Sequence, residues 1–200
     1  MTYTKKIQDA VKFAIKTHEV YQKQKRKGKD IPYITHPLTV GLILACAGAE
    51  EDVIVAGILH DTIEDSTAER KVTPAMIAER FGDNVAELVL SVTEQNKKLS
   101  WEERKAEALE HIKSFSNDSL LLKSADIISN LSELLDDYAR VGEKTFDRFN
   151  APKERLLEQS IRTIRAICER WPENPLVADL VEIETQLKTI SVARNTIHQE

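Results

Sequence analysis

Apolar residues along this chain recur at spacings of three and four, the period of an α-helix rather than of a strand. Ile7, Val11, Ala14, Ile15 and His18 share one stripe of a first helix predicted over residues 4–23. A second helix is expected from Thr35, read as its N-cap with Pro37 in the first turn, to about Ala47, with Gly48 as the stop. Val53, Ile54, Ala56, Gly57, Ile58 and Leu59 put apolar character on nearly every side of a helix over 51–64, which predicts burial all round. Thr73-Pro74 opens a short helix to Phe81, and Gly82-Asp83 begins another to about Val92. Ser100 with Glu103 makes a capping box ahead of a helix to about Lys113. Leu120, Leu121, Leu122, Ala125, Ile128, Leu131 and Leu134 pattern a long helix over 117–138. Pro152 and Pro175 begin the last two, which end near Trp171 and Ile190, and residues 191–200 read as a frayed tail. Sustained alternation and Asn-Gly or Asp-Gly hairpin signals are missing from the sequence. The expectation is an all-α helical bundle of roughly ten helices, one domain over residues 1–190.

Composition narrows the partners. With 42% hydrophobic and 30% charged residues, a 200-residue chain can build one well-filled core. Its apolar runs stay well short of the ~20 residues that span a bilayer. Its first residues, Met-Thr-Tyr-Thr-Lys-Lys, carry no apolar signal stretch, so a cytoplasmic protein is expected. A net charge of −5 with no long basic block argues against nucleic acid and membrane partners, while leaving room for a small cationic pocket. Cys46 and Cys168 sit among apolar neighbours at no metal-ligand spacing and read as a buried pair of free thiols.

Three places set ionisable side chains against apolar runs. His36 opens a helix. His60-Asp61 ends the apolar stretch 53–59, with Glu64-Asp65 one turn later, and Asp126 sits inside 120–128 with Asn130 four residues on. A buried carboxylate is costly unless it is paired or bound to a cation, and a divalent metal would resolve both aspartates at once. Two imidazoles with two carboxylates suit Mn, Fe, Zn or Ni and leave coordination positions open for water and substrate. Neighbouring residues on a helix lie about 100° apart, so His60 and Asp61 can face one ion only where a helix end lies tangent to it. Glu64 and Asp65 then project beside the ion, where a general acid or base would stand. Elsewhere, His18 reads as a satisfied core histidine, Trp101 as a packing residue at a helix start, and Asp136-Asp137 as solvated charge.

The set His36, His60-Asp61 and Asp126, in this order on an all-α chain, resembles the HD phosphohydrolase superfamily. The stretches Arg26-Lys27-Gly28, Pro32-Tyr33-Ile34-Thr35-His36-Pro37, Leu59-His60-Asp61-Thr62-Ile63-Glu64-Asp65 and Lys123-Ser124-Ala125-Asp126 are similar to the hydrolase domain of RelA/SpoT-type alarmone enzymes. At this length the chain has no room for the synthetase and regulatory domains of the long enzymes, so it looks like a stand-alone small alarmone hydrolase of the metazoan SpoT-homologue kind. The resemblance implies His36, His60, Asp61 and Asp126 as Mn²⁺ ligands and Glu64 and Asp65 as the pair that handles water and protons. It implies Arg26, Lys27 and Asn130 as substrate contacts; by charge, Lys97, Lys98 or Arg104 are further candidates to neutralise phosphates. The implied reaction removes the 3′-pyrophosphate of a guanine nucleotide; a homo-oligomer is compatible with it. The alternatives are an HD-type nucleotide phosphatase, dNTPase or NADPH 2′-phosphatase, or a non-catalytic nucleotide-binding module. Two departures stand out: Ser124 where the family usually has Leu, and Ile127-Ile128-Ser129 where it has a basic residue, Leu and His or Tyr.

Overall fold

The structure, a computed structural model, describes residues 2–94, 96 and 98–192. They form ten α-helices: α1 Lys5–Ile15, α2 Thr35–Cys46, α3 Glu51–Leu59, α4 Thr62–Asp65, α5 Pro74–Phe81, α6 Asp83–Val92, α7 Trp101–Ile112, α8 Asn117–Val141, α9 Lys153–Arg170 and α10 Val177–Val192. No strand occurs among the described residues; an isolated antiparallel bridge between Lys25 and Pro32 closes the basic loop. Residue 97 and the predicted tail from residue 193 onward lie outside the described residues.

The apolar helix α3 is the centre of the bundle. Every residue from Val53 to Leu59 is buried, against α1, α2, α6 and α8. Glycines set the α2–α3 spacing. A Cβ on Gly57 would stand 2.4 Å from Leu44 Cδ1, and one on Gly41 would stand 2.6 Å from Ile58 Cγ1, so the two helices lie closer than alanine permits. The predicted caps at Thr73 and Ser100 direct their side chains to the first turns of α5 and α7, Ser100 and Glu103 complete the capping box, and Ser116, not anticipated, caps α8 in the same way.

Several boundaries differ from the sequence reading, each for a local reason. The first helix leaves α-geometry at Ile15 and continues as a π turn over Lys16–Tyr21. Thr35 is not an N-cap: it lies inside α2, and its hydroxyl donates to the Pro32 carbonyl at 2.9 Å while the Pro32–Ile34 carbonyls take the first amides. The helix over 51–64 is two helices that meet at His60-Asp61. Cys46 is exposed at the end of α2, and Cys168 is half-buried, so they are not a buried pair. Asp137, far from being solvated charge, is buried among three cations. Ser124 is fully buried, and the departure from leucine there is matched by Asn174, whose Nδ2 donates to Ser124 Oγ at 2.8 Å.

Candidate active site

The break between α3 and α4 solves the angular problem posed by adjacent ligands. At this joint His60 and Asp61 turn to one side, and His60 Nε2 lies 3.0 Å from Asp61 Oδ2. The start of α2 supplies His36, with Nε2 3.3 Å from Asp126 Oδ1 and 3.7 Å from Asp61 Oδ2. Asp126 comes from the middle of α8. One atom each from His36, His60 and Asp126 falls within 4.8 Å of the others, and Asp61 flanks both histidines.

Hydrogen bonds settle which atoms face inward. His60 Nδ1 lies 2.8 Å from the Gly57 carbonyl, which can only accept, so the proton sits on Nδ1. His60 Nε2 is buried and faces the carboxylates without the alignment of a hydrogen bond. His36 Nδ1 is paired with Ser129 Oγ at 2.9 Å, leaving its Nε2 for the cluster. Burial opposes a charge on His60, but the carboxylates of Asp61 and Asp126 outweigh it and raise its pKa to about 9. Burial likewise opposes charge on the two aspartates. His60 and His36 nonetheless hold the Asp61 carboxyl far below its usual range, and Lys123 with the histidines does the same for Asp126. Two anionic carboxylates and two imidazole nitrogens thus aim at one point, a donor set that fits a divalent cation.

A surrounding shell holds these groups. Tyr33 donates its hydroxyl to Asp61 Oδ2 at 2.5 Å, and its burial beside Asp61 and Asp65 pushes the phenol far above its usual pKa, so it stays a donor. Lys123 Nζ reaches Asp126 Oδ2 at 2.8 Å, and Asn130 Nδ2 reaches Asp126 Oδ1 at 2.7 Å.

A cavity of about 440 Å³ opens beside the cluster, large enough for a small-molecule substrate. His60, Asp61, Glu64, Asp126, Asn130 and Arg104 are in its walls, with Trp101 among them. Glu64 Oε2 accepts the Glu94 amide at 3.2 Å, and Arg104 Nη1 donates to Glu94 Oε2 at 2.6 Å. Asp65 stands outside those walls, its Oδ2 accepting from Gln24 Nε2 at 2.8 Å. Arg26 reaches the site through Asn130 Oδ1 at 2.8 Å and is tied to Glu133. Lys27 is not brought into the cavity: it is exposed, with its ammonium 5.4 Å from the centre of the Phe149 ring. Sequence reasoning gave no role to Tyr33, Ser129 or Lys123. Lys123 carried a usable signal, one turn before Asp126 on the same helix face.

A family model described as an HD domain matches residues 10–153. The chain belongs to the HD-domain family. It is 37% identical over 130 residues to the guanosine-3′,5′-bis(diphosphate) 3′-pyrophosphohydrolase of Xenopus tropicalis, covering 64% of this chain and 69% of that one. It is 38% identical over 135 residues to an enzyme of the same name from Aquifex aeolicus, where the match takes in 66% of this chain but only 18% of the longer protein. It likewise spans only a fifth of the GTP pyrophosphokinase of Myxococcus xanthus, at 37% identity over 72% of this chain and 20% of that protein. Among solved structures, a metazoan SpoT orthologue described as hydrolysing ppGpp superposes with a TM-score of 0.75 at 25% identity, covering 93% of this chain and 97% of that one. A Listeria monocytogenes protein gives 0.68 at 34% identity, over 78% and 97% of the two chains. No helix among the described residues is long and apolar enough to cross a membrane.

Proposed function

We propose that this HD-domain chain, acting as one unit over residues 1–190, is a cytoplasmic hydrolase that removes the 3′-pyrophosphate of guanosine 3′,5′-bis(diphosphate) or its pentaphosphate, with Mn²⁺ as its cofactor. The observation that carries the reading is the convergence of His36, His60, Asp61 and Asp126 beside Glu64 in a cavity, in a chain similar to hydrolases of that substrate. Those four residues would hold the cation, which when bound lowers the pKa of water and polarises a phosphoryl oxygen. Glu64, at the cavity wall, and Asp65 divide the proton work. One takes a proton from the attacking water and the other delivers one to the 3′-oxygen as its bond to phosphorus breaks, giving pyrophosphate and GDP or GTP. Asn130, Arg104 and Arg26 would contact the nucleotide. Lys27 is assigned here on the resemblance alone, and Lys97 on its charge alone.

The reading is tested by incubating the protein with guanosine tetraphosphate and Mn²⁺ and resolving the products. Pyrophosphate and GDP are expected; orthophosphate would place the chain with the HD nucleotide phosphatases instead. Asp61→Ala should lose both bound metal and turnover. Glu64→Gln combined with Asp65→Asn should keep the metal and lose roughly 10²–10⁴ in rate. Normal turnover by that double variant rejects the acid–base assignment.

A further inference from the structure

Behind the metal cluster lies a second polar unit that the hydrolase reading leaves unused. His18 is completely buried, in the π turn Lys16–Tyr21. Its Nδ1 lies 3.0 Å from Gln24 Oε1, while Gln24 Nε2 donates to Asp65 Oδ2 at 2.8 Å. Its Nε2 is buried with no hydrogen-bond partner. The polarity of this chain of contacts is forced. A carboxylate can only accept, so the amide nitrogen of Gln24 faces Asp65 and the amide oxygen faces His18, which must donate from Nδ1.

The backbone bringing these groups together is unusual in two places. The π turn carries His18, and Lys23 has φ +49°, the left-handed region that residues other than glycine seldom occupy. Backbone amides lock the result: Gln24 N–H bonds the His18 carbonyl at 2.9 Å, and Tyr33 N–H bonds the Gln24 carbonyl at 2.9 Å. Such features persist where the surroundings over-determine them, and they cluster at functional sites. Here both converge on the amide that holds Asp65. The ring of Tyr33, which bonds Asp61, packs 5.1 Å from the imidazole of His18.

We infer that His18 and Gln24 are positioning residues for the reaction: His18 orients the Gln24 amide, and the amide holds Asp65 in one rotamer as an oriented carboxylate. This rests on the hydrolase reading, since it concerns how one of the two proton-handling acids is aimed. Neither residue touches the candidate metal ligands through a hydrogen bond of its own, so loss of either should leave metal affinity unchanged.

The test uses the whole chain with Mn²⁺ and guanosine tetraphosphate. His18→Leu and Gln24→Met are each expected to lower kcat about 10- to 30-fold with KM within about twofold of wild type. His18→Asn, which keeps a donor at the Nδ1 position, should recover most of that loss. His18→Gln, whose donor sits at the Nε2 position, should not. In an Asp65→Asn background neither His18→Leu nor Gln24→Met should lower the rate further, because the group they aim is already disabled. An equal loss in that background, or wild-type kcat in His18→Leu, overturns the inference. Should His18→Leu fail to fold, the half-buried Gln24→Met carries the same comparison. The crystal structure of Gln24→Met gives a readout independent of activity. A rotated Asp65 carboxylate is expected there, and an unmoved one overturns the positioning role even if the wild type releases no pyrophosphate, a result that would count against the hydrolase reading alone.

Discussion

Ser129 occupies a position where the resemblance leads one to expect histidine or tyrosine, and its hydroxyl meets Nδ1 of His36 in a buried contact of 2.9 Å. A ligating imidazole needs such a partner to fix its tautomer and ring angle, and loss of one typically costs 10- to 100-fold in metal affinity. Ser129→Ala is therefore expected to weaken binding of a divalent cation such as the proposed Mn²⁺ by about that factor. Ser129→Thr, which keeps the hydroxyl, should stay near wild type. Titration against a chelating dye reads this directly, and unchanged affinity in the alanine variant would show that His36 is oriented by packing alone. The contrast with the candidate ligands explains what could be seen in the sequence. His60, Asp61 and Asp126 stood out because charge inside apolar helices demands a partner. Ser129 and Gln24 did not, because a small hydroxyl on a helix and an amide in a basic loop are unremarkable until the fold brings their partners across. Asp137 is illegible for a related reason: only Arg140 is a neighbour on its helix, and Lys29 and Arg148, which bury its charge, are brought to it by the fold.

The critical element is α3 together with its break into α4. Gly57 serves twice there. Its missing Cβ lets Leu44 of α2 approach, and its carbonyl orients His60. A methyl group would meet Leu44 Cδ1 at 2.4 Å and Val40 Cγ1 at 3.2 Å, and both side chains are wholly buried. Gly57→Ala should accordingly destabilise the fold by about 1–3 kcal/mol in urea melts, the usual cost of overpacking a core. It should also weaken metal binding, because the helix end that carries His60 must shift. A variant as stable as wild type would mean that α2 and α3 separate more freely than their packing suggests. The burial of this helix was legible from its all-round apolar surface, but its break was not. Thr62 and Ile63 beyond the His60-Asp61 pair are buried as a continuing helix would have them, and neither glycine nor proline marks the joint. The π turn was equally silent, since one widened turn leaves His18 on the buried side, where the helical stripe already put it.

Across the whole molecule, the basic loop that carries Arg26 is tied to the bundle by a network of ion pairs. Lys29 bridges Glu133 and Asp137 of α8, Arg26 binds Glu133, and Arg148, from the 3-10 segment that follows α8, binds Asp137 at 2.6 Å. Asp137 is the keystone, with Arg140 as a third cation at 2.9 Å. Its burial opposes ionisation, yet Lys29, Arg148 and Arg140 prevail and hold its pKa at about 2. In the unfolded chain the same group titrates near an ordinary aspartate value of about 3.9. A depressed folded pKa means that the unfolded state takes up the proton first, so this stabilisation is complete above about pH 4 and is lost as the pH falls through 2. Asp137→Asn, which removes the charge at every pH, should thus cost on the order of 2 kcal/mol at neutral pH and almost nothing near pH 2. Urea melts of both proteins from pH 7 down to 2 give the difference as a function of pH; a gap that stays constant over that range would assign the loss to packing instead. With Lys29 released from one of its two carboxylates, the loop should also loosen. In the proposed reaction, KM should then rise more than kcat falls, which would tie the charge network at the edge of the bundle to the nucleotide contact proposed for Arg26.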